Sequence, residues 1–334
     1  MDYKDKEKLE RLRKIFDLNY RMTHLYASYL TNFPEVITRD MISELTADGD
    51  IEKGEAVSAI MAAIFGLDDS NGRDERKLIR EYINPSVRIL DTKRYTENKY
   101  YKNIKIENEK IGNWELKWES YAPYRAVICD DVILNPDFSE IYPIGFFTEE
   151  FRFPAVLEGG NEWMTLTPVD LDTSEYAIER ARGRVITFGL GLGYFAYMAS
   201  EKEDVESVTV VELSSDVIRL FREKILPKFS HPEKINIVNA DAFEYAEKTM
   251  PNENFDFAFV DTWRDASDGA PMYKKMKALE HLSRGTEFSY WIENFIISRL
   301  RAEKFEELYA LVKQDSENAP KSYCEFIERL KQYG

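Results

Sequence analysis

Arg184-Val185-Ile186-Thr187-Phe188-Gly189-Leu190-Gly191-Leu192-Gly193-Tyr194 joins an apolar run to a glycine-rich turn and the start of a helix. The apolar run from Arg184 to Phe188 reads as a strand buried on both faces, because it shows no in-out alternation. It passes directly into three alternating glycines, and residues Tyr194 to Lys202 then take up helical spacing. Glycines at a strand-to-helix turn let the backbone pass close to a ligand and aim a helix N-terminus at it. The same glycines would also serve a tight turn that holds nothing, so the loop gains meaning only together with the other strand ends of the region.

Outward from it, further apolar runs occur at Ser207 to Val211, Ile235 to Val238, Phe255 to Val260 and Glu287 to Ile292. Helix-like stretches separate them: Ser215 to Leu226, Ala242 to Lys248 and Pro271 to Leu282. This alternation predicts an α/β, Rossmann-like, doubly wound parallel sheet of strand order 3-2-1-4-5 over residues 171–334, with helices after Glu293. Ligands of such sheets bind at the carboxyl ends of the strands. Glu212 falls there, at the end of the second strand and 23 residues beyond Gly189, where its carboxylate can accept both hydroxyls of a ribose. Asp241 and Ala242 follow the third strand, and Asp261-Thr262-Trp263-Arg264 follow the fourth. Each has a plainer reading. Glu212 precedes Ser214-Ser215-Asp216, an N-cap pattern; Asp241 can cap the helix starting at Ala242; Trp263 can be core.

At these residues the chain resembles the class I S-adenosylmethionine-dependent methyltransferases, over roughly residues 173–294. The resemblance implies that Gly189, Gly191 and Gly193 hold the methionine end of S-adenosyl-L-methionine, Glu212 the ribose and Asp241 the adenine amine, with Ala242 and Trp263 beside the nucleoside. The family's acid two positions before the first glycine is replaced here by Thr187. Spermidine synthases, which use decarboxylated S-adenosylmethionine on the same fold, also lack that acid. A narrower resemblance is to catechol-type O-methyltransferases, through Phe255 to Asp265 and Gly285 to Asn294. It implies a magnesium ion on Asp261, Glu293 and Asn294, and it puts Arg264 where those enzymes have a catalytic Lys. Guanidinium stays protonated, so Arg264 could orient an anionic oxygen but not act as a base. Asp261 and Arg264 are the expected catalytic residues.

Before this region the chain changes character twice. Residues 1–84 read as helical, with Leu9, Leu12, Ile15, Phe16 and Tyr20 in helical steps and a break at Asp48-Gly49-Asp50. Residues 85–170 read as β-rich, with hairpin signals at Glu109 to Asn113 and at Asn135-Pro136-Asp137. This middle segment is expected to cover the cleft and set substrate choice. Its place before the cofactor domain resembles spermidine synthases.

Lys and Arg number 45 against 61 Asp and Glu, giving a net charge of −16. That is the wrong sign for neutralising phosphates, so neither nucleic acid nor an acidic membrane is an expected partner. A cationic small molecule suits it. Two cysteines, Cys129 and Cys324, are too few for a disulfide framework, and Met1 to Lys14 is dense with charge, so a cytoplasmic protein is expected. The expected function is methyl transfer from S-adenosylmethionine to a small molecule. Aminopropyl transfer stays open. So does a non-catalytic nucleoside-binding role in which the N-terminal helices form a dimerisation arm. Gly191-Leu192-Gly193-Tyr194-Phe195-Ala196 also fits a dinucleotide fingerprint, which keeps oxidoreduction open.

Overall fold

The computed structural model describes residues 1–333. The chain is grouped into two units built from interleaved segments: Met1–Ile89, Tyr124–Phe146 and Asn294 onward in one, Leu90–Pro123 and Phe147–Glu293 in the other. This differs from three consecutive parts, because local periodicity does not report which distant segments share a core. Tyr124, Ala126, Ile141, Ile144 and Phe146 pack with Met22, Tyr26, Ile42, Val57 and Met61 in a single apolar cluster. Leu9, Leu12 and Phe16 likewise pack with Phe305, Leu308, Phe326 and Leu330.

The first unit is mainly helical. The break between its helices Arg39–Leu45 and Lys53–Ile64 falls where the sequence predicts, with Gly49 at φ +76° in the turn, whereas the earlier break after helix Tyr3–Asn32, over residues 33–38, is not among those the sequence predicts. Helical structure continues over residues 73–86, to the end of the region read as helical. Helix Glu293–Lys313 enters this unit at Asn294, and its first N–H groups are satisfied from elsewhere in the chain. Asp131 accepts the backbone N–H of Asn294 and of Phe295, each at 2.9 Å, and that of Val132 at 2.8 Å. Burial pushes the Asp131 carboxyl up to about 6 in spite of these bonds, which pull the other way. Asp131→Ala would strip the cap from buried helix donors and should cost about 1–2 kcal/mol, read as a lower urea midpoint at unchanged slope.

The second unit carries a five-stranded parallel sheet: β1 (Gly183–Phe188), β2 (Val205–Glu212), β3 (Ile235–Asn239), β4 (Phe257–Val260) and β5 (Glu287–Tyr290). Neighbours run β3-β2-β1-β4-β5. The pairing is in step, Thr187 lying between Val210 and Phe259, so the strands reach the carboxyl edge together. Buried Val185, Ile186, Phe188, Val208, Val210, Phe257 and Phe259 fill its centre. Five helices accompany the strands: α1 (Pro168–Arg180), α2 (Tyr194–Ser200), α3 (Ser215–Lys224), α4 (Ala242–Lys248) and α5 (Ala266–Leu279). Helix α5 begins five residues before the expected Pro271, because Asp265 and Asp268 form a capping box; Pro271 then lies inside the helix, where it brings no N–H to the ladder.

An antiparallel sheet in the same unit orders Glu109–Ile111, Trp114–Tyr121, Phe151–Glu158 and Asn161–Thr165. Its first hairpin turns at the predicted Gly112, with φ +60°. Two short helices, Thr92–Thr96 and Lys99–Asn103, stand where only β structure is expected; Asp91 and Asn98 cap them. Among the described residues no helix is long and apolar enough to cross a membrane, and neither Cys129 nor Cys324 is in a disulfide.

Candidate nucleoside and ammonium site

The glycine loop leaves β1 in backbone conformations that side chains resist: φ is +97° at Gly189, +52° at Gly191 and +76° at Gly193. At Gly189 there is a second reason. A Cβ there would sit 1.9 Å from the backbone oxygen of Asp261, so β1 and β4 meet too closely for any side chain. A Cβ on Gly191 would meet the Sδ of Met164, and one on Gly193 the ring of Phe221. Met164, on the last antiparallel strand, therefore lies directly against the loop. Tyr100, on a short helix that the sequence reading missed, donates its hydroxyl to the Leu192 carbonyl at 2.5 Å. Asn98 donates to the Tyr194 hydroxyl at 3.0 Å.

Glu212 ends β2 buried, at 8% exposure, and is not a solvated strand-end carboxylate. One oxygen accepts the Leu190 N–H of the glycine loop at 3.1 Å, the other the Ser214 N–H at 2.7 Å. The second-strand acid and the glycine loop, 22 residues apart, are thus a single constellation. Each carboxylate oxygen retains a lone pair that a ribose hydroxyl could use. Leu213 beside it is 69% exposed at the same sheet edge.

Asp241 caps α4, accepting the N–H groups of Phe243 at 3.0 Å and Glu244 at 2.9 Å, and Ala242 is that helix's first residue. Trp263 is core: 5% exposed, its indole N–H on the Trp291 carbonyl at 3.3 Å, its ring stacked on Tyr290. Arg264 is exposed, and its backbone N–H is bound by Asp268. Glu293 accepts the Tyr273 hydroxyl at 2.7 Å and pairs with Lys277 at 3.3 Å. Among the described residues no group of three His, Cys, Asp or Glu is arranged to hold a metal ion.

Asp261 is placed otherwise. It lines a cavity of about 20 Å³ with Met164, Asp170, Ser174, Thr187 and Trp291. That is room for one water-sized group. Its carboxylate takes no hydrogen bond among the described residues. Burial, with the nearby charges of Asp170 and Glu212, pushes its carboxyl up to about 8. A half-buried acid with no cation and no donor from the chain ionises reluctantly, and a positive charge delivered to it would reverse that. Together these residues offer carboxylate acceptors at Glu212, a glycine loop that admits a close backbone approach, and an acid at Asp261; any ligand larger than one water-sized group would require the flexible Met164 side chain to move.

Sequence reasoning missed Asp170. It sits in the first turn of α1, where Thr167 and Asp170 form a capping box. Thr167-Pro168-Val169-Asp170 is readable as a helix start. Nothing in its spacing says that this turn faces the glycine loop.

No family model matches the chain, and no curated protein does. Among solved structures, the chain is similar to a spermidine synthase in complex with the transition-state analogue AdoDATO, at 16% identity and a TM-score of 0.27 over 47% of this chain and 46% of that one. It is similar to spermidine synthase from Thermotoga maritima at 14% identity and a TM-score of 0.32, over 59% of this chain and 72% of that one. A precorrin 8W decarboxylase of Methanobacterium thermoautotrophicum is similar at 16% identity and a TM-score of 0.27, over 42% of this chain and 67% of that one.

Proposed function

We propose that the protein is an enzyme that methylates a small, amine-bearing molecule with S-adenosyl-L-methionine as donor. The observation that carries this reading is the bond from the Leu190 N–H to Glu212, which joins the loop and the strand-end acid into a single nucleoside cradle. Bound there, S-adenosylmethionine would supply an electrophilic methyl group on a positively charged sulfur. Glu212 holds the ribose hydroxyls and so fixes the donor along the sheet edge. The loop glycines admit the donor's backbone-hugging end, and the apolar walls, Phe195 and Phe259 among them, keep water from the reacting centre. Most of the acceleration this chain offers is therefore positioning.

The nitrogen of the acceptor must give up a proton as its bond to carbon forms and the sulfur–carbon bond breaks. Asp261 is suited to receive it once ionised: burial pushes its carboxyl up to about 8 in the free protein, and the positive charge of a bound donor would favour the carboxylate that accepts the proton. Arg264, exposed and away from the cavity lining, has no part in this step. Asp241 keeps its cap and contributes through the orientation of α4.

Isothermal titration with S-adenosylmethionine, with NAD as the parallel control, tests the reading. Micromolar binding of the methyl donor is expected, and Glu212→Ala should weaken it by about tenfold to a hundredfold, the equivalent of one or two charge-assisted hydrogen bonds. Binding of NAD alone would replace this proposal with a dinucleotide enzyme. A second reading, aminopropyl transfer from decarboxylated S-adenosylmethionine, is favoured by Thr187 standing in the loop position where methyltransferases carry an acid. Product analysis with each donor and a diamine separates the two.

A further inference from the structure

We infer that Asp170 and Asp261 together form the binding site for an ammonium group, with Asp170 on α1 supplying the acid that the loop lacks at Thr187. The site rests on the transferase reading and adds a residue and a ligand chemistry to it. Thr187 is 2% exposed and spends its hydroxyl on the Gly189 carbonyl, so β1 itself offers no anion. Asp170 and Asp261 line the same small cavity as Thr187, approached from α1 on one side and from the end of β4 on the other. Ser174, one turn on from Asp170, adds a hydroxyl, although it already donates to the Asp170 carbonyl.

The two acids are not equally engaged. Asp170 accepts the Thr167 N–H and the Thr167 hydroxyl, both at 2.8 Å and both on Oδ2, so its other oxygen is not spent on the cap. Asp261 accepts nothing among the described residues. Burial raises both, Asp170 to about 6 and Asp261 to about 8, and the charge of Asp170 further opposes ionisation of Asp261. Two carboxyls lining one water-sized cavity ionise together only at a cost, and the group whose size and charge would relieve it is a primary ammonium. No other cation faces them from the cavity lining, whose remaining members are apolar, hydroxylic or backbone. The ammonium can belong to the donor's amino-acid or aminopropyl end, or to the acceptor amine. The chemistry is the same in each case.

The test compares three ligands on the full chain by titration calorimetry: S-adenosylmethionine, 5′-methylthioadenosine, which keeps the nucleoside but has no ammonium, and putrescine. The variant is Asp170→Asn, which can still accept the Thr167 N–H; Thr167→Ala is the control that loosens the cap and keeps the acid. In the unaltered protein S-adenosylmethionine should bind at least about tenfold tighter than the thioether. Asp170→Asn should erase most of that advantage and leave the thioether within about twofold, whereas Thr167→Ala should preserve it. If Asp170→Asn instead weakens putrescine and spares the donor, the ammonium held is the acceptor's and the assignment of Asp170 stands. Equal weakening of both nucleosides, or no change in any ligand, overturns the ammonium site while the transferase reading survives. Failure of both nucleosides to bind the unaltered protein overturns the reading itself.

Discussion

Gly189→Ala should be the most damaging single methyl group that can be added to this protein. The added Cβ would fall 1.9 Å from the Asp261 backbone oxygen, at a φ of +97° that L-residues avoid. Backbone strain of about 1–2 kcal/mol adds to an overlap that no rotamer relieves, because the Cβ position is fixed by the main chain and meets a backbone oxygen, just beyond the ends of two paired strands. A loss of about 3 kcal/mol or more is expected, with the melting temperature lower by about 6–12 °C for a unit of this size. Donor binding should be lost with it, because Asp261 is displaced. Gly191→Ala provides the contrast. Its clash is with the Sδ of Met164, the movable end of a flexible side chain. Calorimetry should show a much smaller drop, within about 2 kcal/mol. Equal losses at the two positions would show that the approach of β1 to β4 is not the constraint.

The second large effect is a linkage between protons and ligand. With the Asp261 carboxyl raised to about 8, the unliganded protein holds a proton there at pH 7 that a bound cation should expel. S-adenosylmethionine affinity should therefore rise with pH, by at most about tenfold per unit between pH 6 and 8, and level off above that. Titration at pH 7 in two buffers of different ionisation enthalpy should report release of nearly one proton, and Asp261→Asn should abolish the release. Stability of the free protein carries the opposite sign. The unfolded chain loses this proton near the ordinary carboxyl value while the folded chain keeps it, so folded Asp261 favours the native state less and less as pH rises from about 4 towards 8. The stability difference between the native sequence and Asp261→Asn should therefore shift towards the variant across that range, by at most about 1.4 kcal/mol per unit. A flat difference, with no proton released on binding, would mean that Asp261 is already ionised in the free protein.

Much of the α/β half was legible because its signals are local. β1 is bounded by its glycine loop, α4 runs over the predicted residues Ala242 to Lys248, and the β2 end falls at Glu212. The hairpin at Gly112 was legible for the same reason, since a positive φ at a turn is written in one residue. Less readable were places where one signal has two uses. Asp241 satisfies both an adenine-facing and a capping pattern, and the structure uses it as a cap. Trp263 fits both a ligand wall and a core, and the packing against Tyr290 puts it in the core.

The strand–glycine–helix unit, the alternation that makes a parallel sheet, the helical start of the chain and the acidic balance can all be read from the residues in order. Each is set by neighbours within a few residues, where sterics and periodicity act. Folding is what joins residues 124–146 to the N-terminal helices, rests Met164 on the glycine loop and puts Asp170 in one cavity with Asp261. Those are contacts between segments far apart in the chain. Their free energy comes from burial and from charges brought together out of water, and neither is expressed in the spacing of residues along one stretch.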